Sequence, residues 1–312
     1  MGGSSGGGFD FRPGVGPQDL QRIAQEETAI AAFQTTLGAM LGDLLTTYNS
    51  RDYELVAERL EPLLDALSEE HAGNFNKLFG GSVAKHTYVD GLSDVDCLVV
   101  LNGSELHGDD PSDALESMAA VIEREADEDE EVSVGRMAIT VRYGDGMEIQ
   151  LVPAVDDGGG RLRVPSSDGE GWAKINPQTF RAILTKRNNE CGGKLVPTIK
   201  LAKAVLANSF EGEGLSGYHV ESLAIEAFRD YDGTKTTAAM LPRFFERART
   251  LVLEPMRDST GQSVHVDTDL GGPHSEARQK ISFELGRIAR QMRTASAAGS
   301  TDRWLDFFGL SE

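Results

Sequence analysis

The chain is expected to fold as an α+β protein, and three observations carry that expectation. The run Cys97-Leu98-Val99-Val100-Leu101 and the segments Met137–Arg142 and Gly146–Ala154 are apolar or alternating in the manner of strands. A single apolar stripe recurs at helical spacing from Gln18 to about Tyr48. From about residue 177 onward the pattern is mostly helical, without internal repeats.

In chain order, Met1–Gly8 is a Gly/Ser-rich tail of the flexible kind. The helix over Gln18–Tyr48 is followed by a second from Asp52 to about Ser68, carrying Leu60, Leu63, Leu64 and Leu67. A third helix, from about Glu69 to Phe79, is expected to lead into Gly80-Gly81-Ser82. Ser112 to about Arg124 has a helical pattern and runs into the acidic stretch Glu125–Glu131, read as a solvated face or loop. Gly144-Asp145-Gly146 is a hairpin signal between two strands. Asp156–Gly171 is polar and glycine-rich, with a short apolar insert at Leu162 and Val164. Helices then follow over Pro177–Asn188, Leu195–Asn208, Gly217–Phe228, Thr236–Leu253 and Ser275–Ala298. The chain divides into a tail over 1–17, a core over 18–165 and a helical lobe over 166–312.

The most informative segment is FGGSVAKHTYVDGLSDVDCLVVL. Residues i and i+2 of a strand point the same way, so Asp94 and Asp96 converge while Val95 turns into the core. Two adjacent carboxylates suit Mg²⁺, a hard cation usually held by one or two carboxylates plus substrate phosphates. The small-residue turn at Gly81 and Ser82 would cradle phosphates through backbone N–H groups and a hydroxyl. This is the logic of a metal-dependent nucleotidyltransferase. The bland readings are an exposed acidic turn entering a strand for the Asp pair and an ordinary flexible turn for Gly80-Gly81; it is their coincidence with the apolar run Cys97–Leu101 that favours the chemical reading. On the second hairpin strand Glu148 and Gln150 share a face, which is expected to look toward Asp94 and Asp96. Lys200 and Lys203 lie three apart on one helix face, suited to a triphosphate or simply to solvent.

Composition narrows the partners. With 30 Lys+Arg against 50 Asp+Glu, the formal charge is −20 and the sequence pI about 4.7. That disfavours long nucleic acid, whose phosphates reward clustered basic residues, and favours free NTPs. The two cysteines, Cys97 and Cys191, have no zinc-site or disulfide-framework spacing. No apolar stretch is expected to span a membrane and no signal peptide opens the chain, so a cytoplasmic protein is expected.

Taken together, the GGS…DVD core, the strand ending in Val152-Pro153-Ala154, Ile199-Lys200-Leu201-Ala202-Lys203 and LSGYHVESLAIEAF resemble the cGAS/DncV-like nucleotidyltransferases of bacterial CBASS anti-phage defence, related to oligoadenylate synthase and cyclic GMP-AMP synthase. The resemblance runs from about residue 60 to about 295. It implies a polymerase-β-like core with a helical spine, a C-terminal helical lobe and an active site in the cleft between them. It implies two Mg²⁺ ions (with Mn²⁺ as a substitute) at Asp94, Asp96 and Glu148, and condensation of ATP and other NTPs into a cyclic di- or trinucleotide second messenger. Gly81, Ser82, Lys200, Lys203, Ser216 and Tyr218 would then hold the nucleotide. An effector that reads the product and regulatory proteins encoded nearby would be the partners. One departure stands out: where many relatives carry the third carboxylate, three residues before the proline, this chain has Gln150. Either Glu148 takes that role or the site runs with two carboxylates. The alternatives are a transferase acting on a protein or small molecule, and a catalytically inactive nucleotide-binding relative.

Overall fold

The computed structural model describes residues 16–49, 53–71, 75–79, 87, 89, 95–166, 169, 171–210, 214–258 and 265–310. Two helices open it, α1 (Pro17–Tyr48) and α2 (Tyr53–Glu70). The helix expected over Glu69–Phe79 is not there. Helix α2 ends at Glu70, and Asn76–Phe79 is a strand, β1, paired antiparallel with β2 (Val95–Val100). Gly73-Asn74 in the sequence punctuates the helical pattern, and pairing with the apolar β2 outweighs local propensity in the four residues that follow.

Beyond β2 come α3 (Pro111–Glu125), β3 (Glu131–Val134), β4 (Ile139–Arg142) and β5 (Glu148–Gly158). Strand β3 starts inside the acidic stretch expected to be a solvated face or loop, and it pairs antiparallel with β4. The glycine-rich stretch is likewise more ordered than its composition suggests. Strand β5 runs on to Gly158, a turn at Gly159 and Gly160 follows with φ of 66° and 78°, and β6 (Arg161–Pro165) returns against it. Strand β7 (Trp172–Ile175) then pairs with β6. The main path of the sheet is β1-β2-β5-β4-β3, with β6 and β7 continuing from β5. All of these pairings are antiparallel except β2 with β5, so the sheet is mixed.

The pleat sorts residues by face. Val95, Cys97 and Val99 of β2, Ile149 and Leu151 of β5, and Ile139 and Val141 of β4 are buried against Leu60, Leu64 and Leu67 of α2 and Leu115, Met118 and Ile122 of α3. The alternate positions Asp96, Glu148, Gln150 and Thr140 are only half-buried. At the hairpin, Gly146 adopts φ 87°, which favours glycine, and Arg59 closes on the Asp145 carboxylate with two bonds of 3.0 and 2.8 Å.

The helical lobe comprises α4 (Pro177–Glu190), α5 (Leu195–Ser209), α6 (Gly217–Ala227), α7 (Thr237–Leu251), α8 (Glu276–Ala297) and the short α9 (Asp302–Leu305). Four of them start on a side-chain cap that accepts a backbone N–H: Asn176, Ser216, Thr236 and Ser275. Their core also takes in Leu37 and Leu41 from the second half of α1. The first half of α1 is exposed, Leu20, Ile23 and Ile30 included. The expectation that no apolar stretch reaches membrane-span length is corrected here. Gln18–Tyr48 is long and apolar enough to qualify, with only 11% of the qualifying window buried. Its Ala, Thr and Leu content raises the hydropathy, while Leu37 and Leu41 are spent on the lobe's core.

Candidate active site

Asp96 is the second residue of β2, and its partner across the parallel ladder is Gln150. Ladder partners project to the same side of a sheet. Gln150 pairs in turn with Thr140 on β4, and Glu148 pairs with Arg142. One face therefore carries Asp96, Gln150, Thr140 and, one pleat away, Glu148. The Glu148 carboxylate accepts from Arg142 Nε at 2.6 Å, and Arg142 also donates to Glu131 at 2.9 Å. Gly81, Ser82 and Asp94 lie outside the described residues.

The donor set on this face is oxygen alone, from carboxylates and an amide, which fits a hard cation such as Mg²⁺. Among the described residues no three His, Cys, Asp or Glu side chains cluster closely enough to hold a metal. Asp96 and Glu148 are thus the described part of the expected ligand set, and Asp94 would complete it. The one thiol near the face plays no part: Cys97 is buried on the opposite side of β2, where burial pushes its pKa up to about 12.

The two lysines have defined partners. Lys200, on buried α5 surface, donates to Asn49 Oδ1 at the end of α1. Lys203 donates to Glu221 Oε1 at 2.8 Å and to the Thr87 carbonyl at 3.1 Å. Thr87 belongs to the segment between Ser82 and Asp94, and its hydroxyl donates to the same Glu221 oxygen at 2.5 Å. Sequence alone marks neither Glu221 nor Thr87 as a site residue. A carboxylate set among the apolar residues Val220, Leu223 and Ala224 is the signal that pointed to a buried partner.

Ser216 and Tyr218 stand at the start of α6. The Ser216 hydroxyl accepts from the His219 N–H at 3.2 Å, so it serves as the helix cap. Tyr218 packs its ring on Phe180, with centroids 4.7 Å apart, and donates its hydroxyl to Asp258 at 3.1 Å. Behind it, His219 is buried with Nε2 3.5 Å from Asp267. Burial lowers the pKa of His219 despite that carboxylate. Asp267 and Arg278 are both 0% exposed and paired at 2.6 Å. Burial alone would raise the Asp267 pKa, but the Arg278 bond and the Met256 N–H reverse this and hold it below the ordinary carboxylate value. The Asp-rich segment before α8 is therefore a structural cage at Asp267: Arg278 also reaches the carbonyls of Val252, Glu254, Gly271 and Gly272.

Residues 37–188 match the family described as the Second Messenger Oligonucleotide or Dinucleotide Synthetase domain. Among curated proteins no sequence matches this chain. Solved structures do. The CD-NTase CdnG of Bradyrhizobium diazoefficiens in complex with GTP is similar with a TM-score of 0.62 at 16% identity, over 80% of this chain and 88% of that one. CdnC of E. coli MS115-1, solved as a CdnC:HORMA-deltaN complex, gives 0.58 at 18% identity over 83% and 90%. The Vibrio cholerae DncV cyclic AMP-GMP synthase, solved with the linear intermediate 5′ pppA(3′,5′)pG, gives 0.60 at 11% identity over 95% and 91%. At these identities the likeness is one of fold.

Proposed function

We propose that this chain, whose residues 37–188 match the Second Messenger Oligonucleotide or Dinucleotide Synthetase domain, is a cGAS/DncV-like nucleotidyltransferase that condenses NTPs into a cyclic di- or trinucleotide that signals in anti-phage defence. The observation that carries this reading is the Asp96–Gln150 pairing, which puts a carboxylate on an all-oxygen, half-buried face of a mixed sheet. Asp94, Asp96 and Glu148 would hold Mg²⁺ (or Mn²⁺). When bound, such a cation neutralises triphosphate charge and acidifies the attacking hydroxyl. We assign the third place to Glu148 rather than Gln150 because only Glu148 brings charge, and Arg142 already fixes its carboxylate.

The chain's own residues would do the positioning on which phosphoryl transfer depends. Gly81 and Ser82 would cradle the triphosphate. Lys200 or Lys203 would reach it from α5 by exchanging part of the Asn49 or Glu221–Thr87 contacts made here, and Ser216 and Tyr218 would border the base. A ribose hydroxyl oxygen attacks the α-phosphorus, the bond to the β-phosphate oxygen breaks, and pyrophosphate leaves. Repetition on the linear product, with its own hydroxyl as nucleophile, closes the ring. A product-binding effector and regulatory proteins would be the partners. DncV was solved with ATP and GTP and CdnG with GTP, which supports nucleotides of this class as substrates.

The test is incubation of the protein with α-³²P-labelled NTPs and Mg²⁺ or Mn²⁺, followed by phosphatase and chromatography. A phosphatase-resistant product that disappears in Asp96→Ala is expected. Omitting single NTPs would name its bases. An Asp96→Ala variant as active as the parent would sink the assignment. Glu148→Gln and Gln150→Ala compared side by side decide the third position: the first is expected to abolish product and the second to spare it.

A further inference from the structure

We propose that Glu221 is a positioning residue that anchors the phosphate-handling segment to the helical lobe through Thr87. This rests on the synthetase reading above. Glu221 is 1% exposed on α6 and Lys203 11% exposed on α5. Thr87, itself fully buried, comes from the other half of the molecule, five residues after Ser82 and seven before Asp94. Three bonds close a ring. The Thr87 hydroxyl donates to Glu221 Oε1 (2.5 Å), Lys203 Nζ donates to the same oxygen (2.8 Å), and Lys203 Nζ also donates to the Thr87 carbonyl (3.1 Å). The ring holds Thr87 by side chain and main chain at once, which fixes both its place and its orientation.

Energetics argue against mere packing. Desolvating a carboxylate and an ammonium is costly, and an apolar side chain would fill position 221 more cheaply. Its helix neighbours Val220, Leu223 and Ala224 are buried among apolar residues. What the charged pair adds is direction. Glu221 aims the Lys203 ammonium at the main chain of the segment that joins the phosphate turn to the acidic strand. The anchor therefore couples the two halves of the site, and loosening it should be felt in turnover rather than in ground-state affinity.

The test uses the full chain with Thr87→Val, Thr87→Ser, Glu221→Gln and the Thr87→Val/Glu221→Gln double variant. Turnover of NTPs and amide hydrogen exchange of peptides covering 83–93 are read in parallel. Thr87→Val keeps shape and leaves the Lys203–Glu221 pair intact, so it stays interpretable if Glu221→Gln fails to fold. It is expected to lower kcat about tenfold, the scale of a hydrogen bond to a charged group, with a smaller change in KM and faster exchange over 83–93. Thr87→Ser is expected to recover both, and the double variant to be no worse than the poorer single. A Thr87→Val variant with parental kcat and parental exchange would overturn the anchor, as would single effects that multiply in the double. A purely structural Glu221 would lower Tm while sparing kcat and exchange at low temperature. Should the parent itself make no product, the synthetase reading fails while exchange over 83–93 still decides the anchor.

Discussion

Replacing Arg278 by methionine should be the most damaging single change in the helical lobe. The guanidinium is 0% exposed and spans α8 and the segment before it: it donates to Val252 O (3.0 Å), Glu254 O (3.2 Å), Asp267 O (3.0 Å), Gly271 O (3.0 Å) and the Asp267 carboxylate (2.6 Å). Methionine fills most of that volume but donates nothing. The Asp267 carboxylate would be left buried with the Met256 N–H, at 3.0 and 3.2 Å, as a donor. Removing one partner of a buried pair costs about 3–5 kcal/mol. Asp267→Asn is milder, about 1.5–3 kcal/mol, because Arg278 keeps its carbonyls and only the charge-assisted bond weakens. At about 2–4 °C per kcal/mol for a large domain, Arg278→Met should lower Tm by roughly 6–20 °C. Urea titration of the parent, both singles and the double gives the coupling directly. The double should cost less than the sum of the singles. Arg278→Met within about 1 kcal/mol of the parent, or strictly additive costs, would refute the cage.

Other consequences are equally open to measurement. Burial lowers the folded-state pKa of His219, which faces Asp267, Asp269 and Arg278. Its neutral form therefore contributes stability that is present above about pH 6.5 and lost as pH falls through the lowered folded value. The urea midpoint of the parent should drop between pH 7.5 and 5.5 by more than that of His219→Gln; equal drops would exclude the effect. The Arg59 bond to Asp145 lowers the Asp145 pKa. Arg59→Met should therefore lose an ion-pair contribution of under about 1 kcal/mol at pH 7, Asp145 being half exposed, and only the Arg59–Tyr143 ring contact at 4.2 Å once Asp145 is protonated well below pH 4. Cys97 and Cys191 are both buried, so a thiol reagent should find neither in the native protein and both in denaturant.

Strand β2 was legible because two signals coincide there: carboxylates at i and i+2, and an uninterrupted apolar run that a buried strand explains. Glu148 and Gln150 were placed on a shared face by the same alternation, and the register with Asp96 agrees. Strand β1 was missed because four residues, Asn-Lys-Leu-Phe, fit the tail of a preceding helix as well as a strand, and only β2 as a neighbour decides between them. Strands β3 and β6 were hidden by acidic and glycine-rich composition, since each borrows its stability from the strand it pairs with. Lys203 was found as a charge, but not its partners. Glu221 is 18 residues away and Thr87 116, distances at which sequence periodicity carries no information. Arg278 shows the same limit, looking like one more polar position on an amphipathic helix until the fold wraps carbonyls around it.

The mixed ladder also orders events in time. On one side β2 meets β1, whose partners lie about 20 residues upstream; on the other it meets β5, about 50 residues downstream. Closing the longer loop costs only about 0.8 kcal/mol more than the shorter, so equilibrium hardly registers the difference. Biosynthesis does. At 5–20 residues per second, Asp96 is made roughly 3–10 s before Gln150 exists to stand beside it. During that interval the acidic strand has a neighbour on its β1 side and a bare hydrogen-bonding edge on the other, the kind of edge that recruits stray strands. The polar Asp96 sits at the start of that edge, and the apolar stretch behind it waits for α3 and then β5 to cover it.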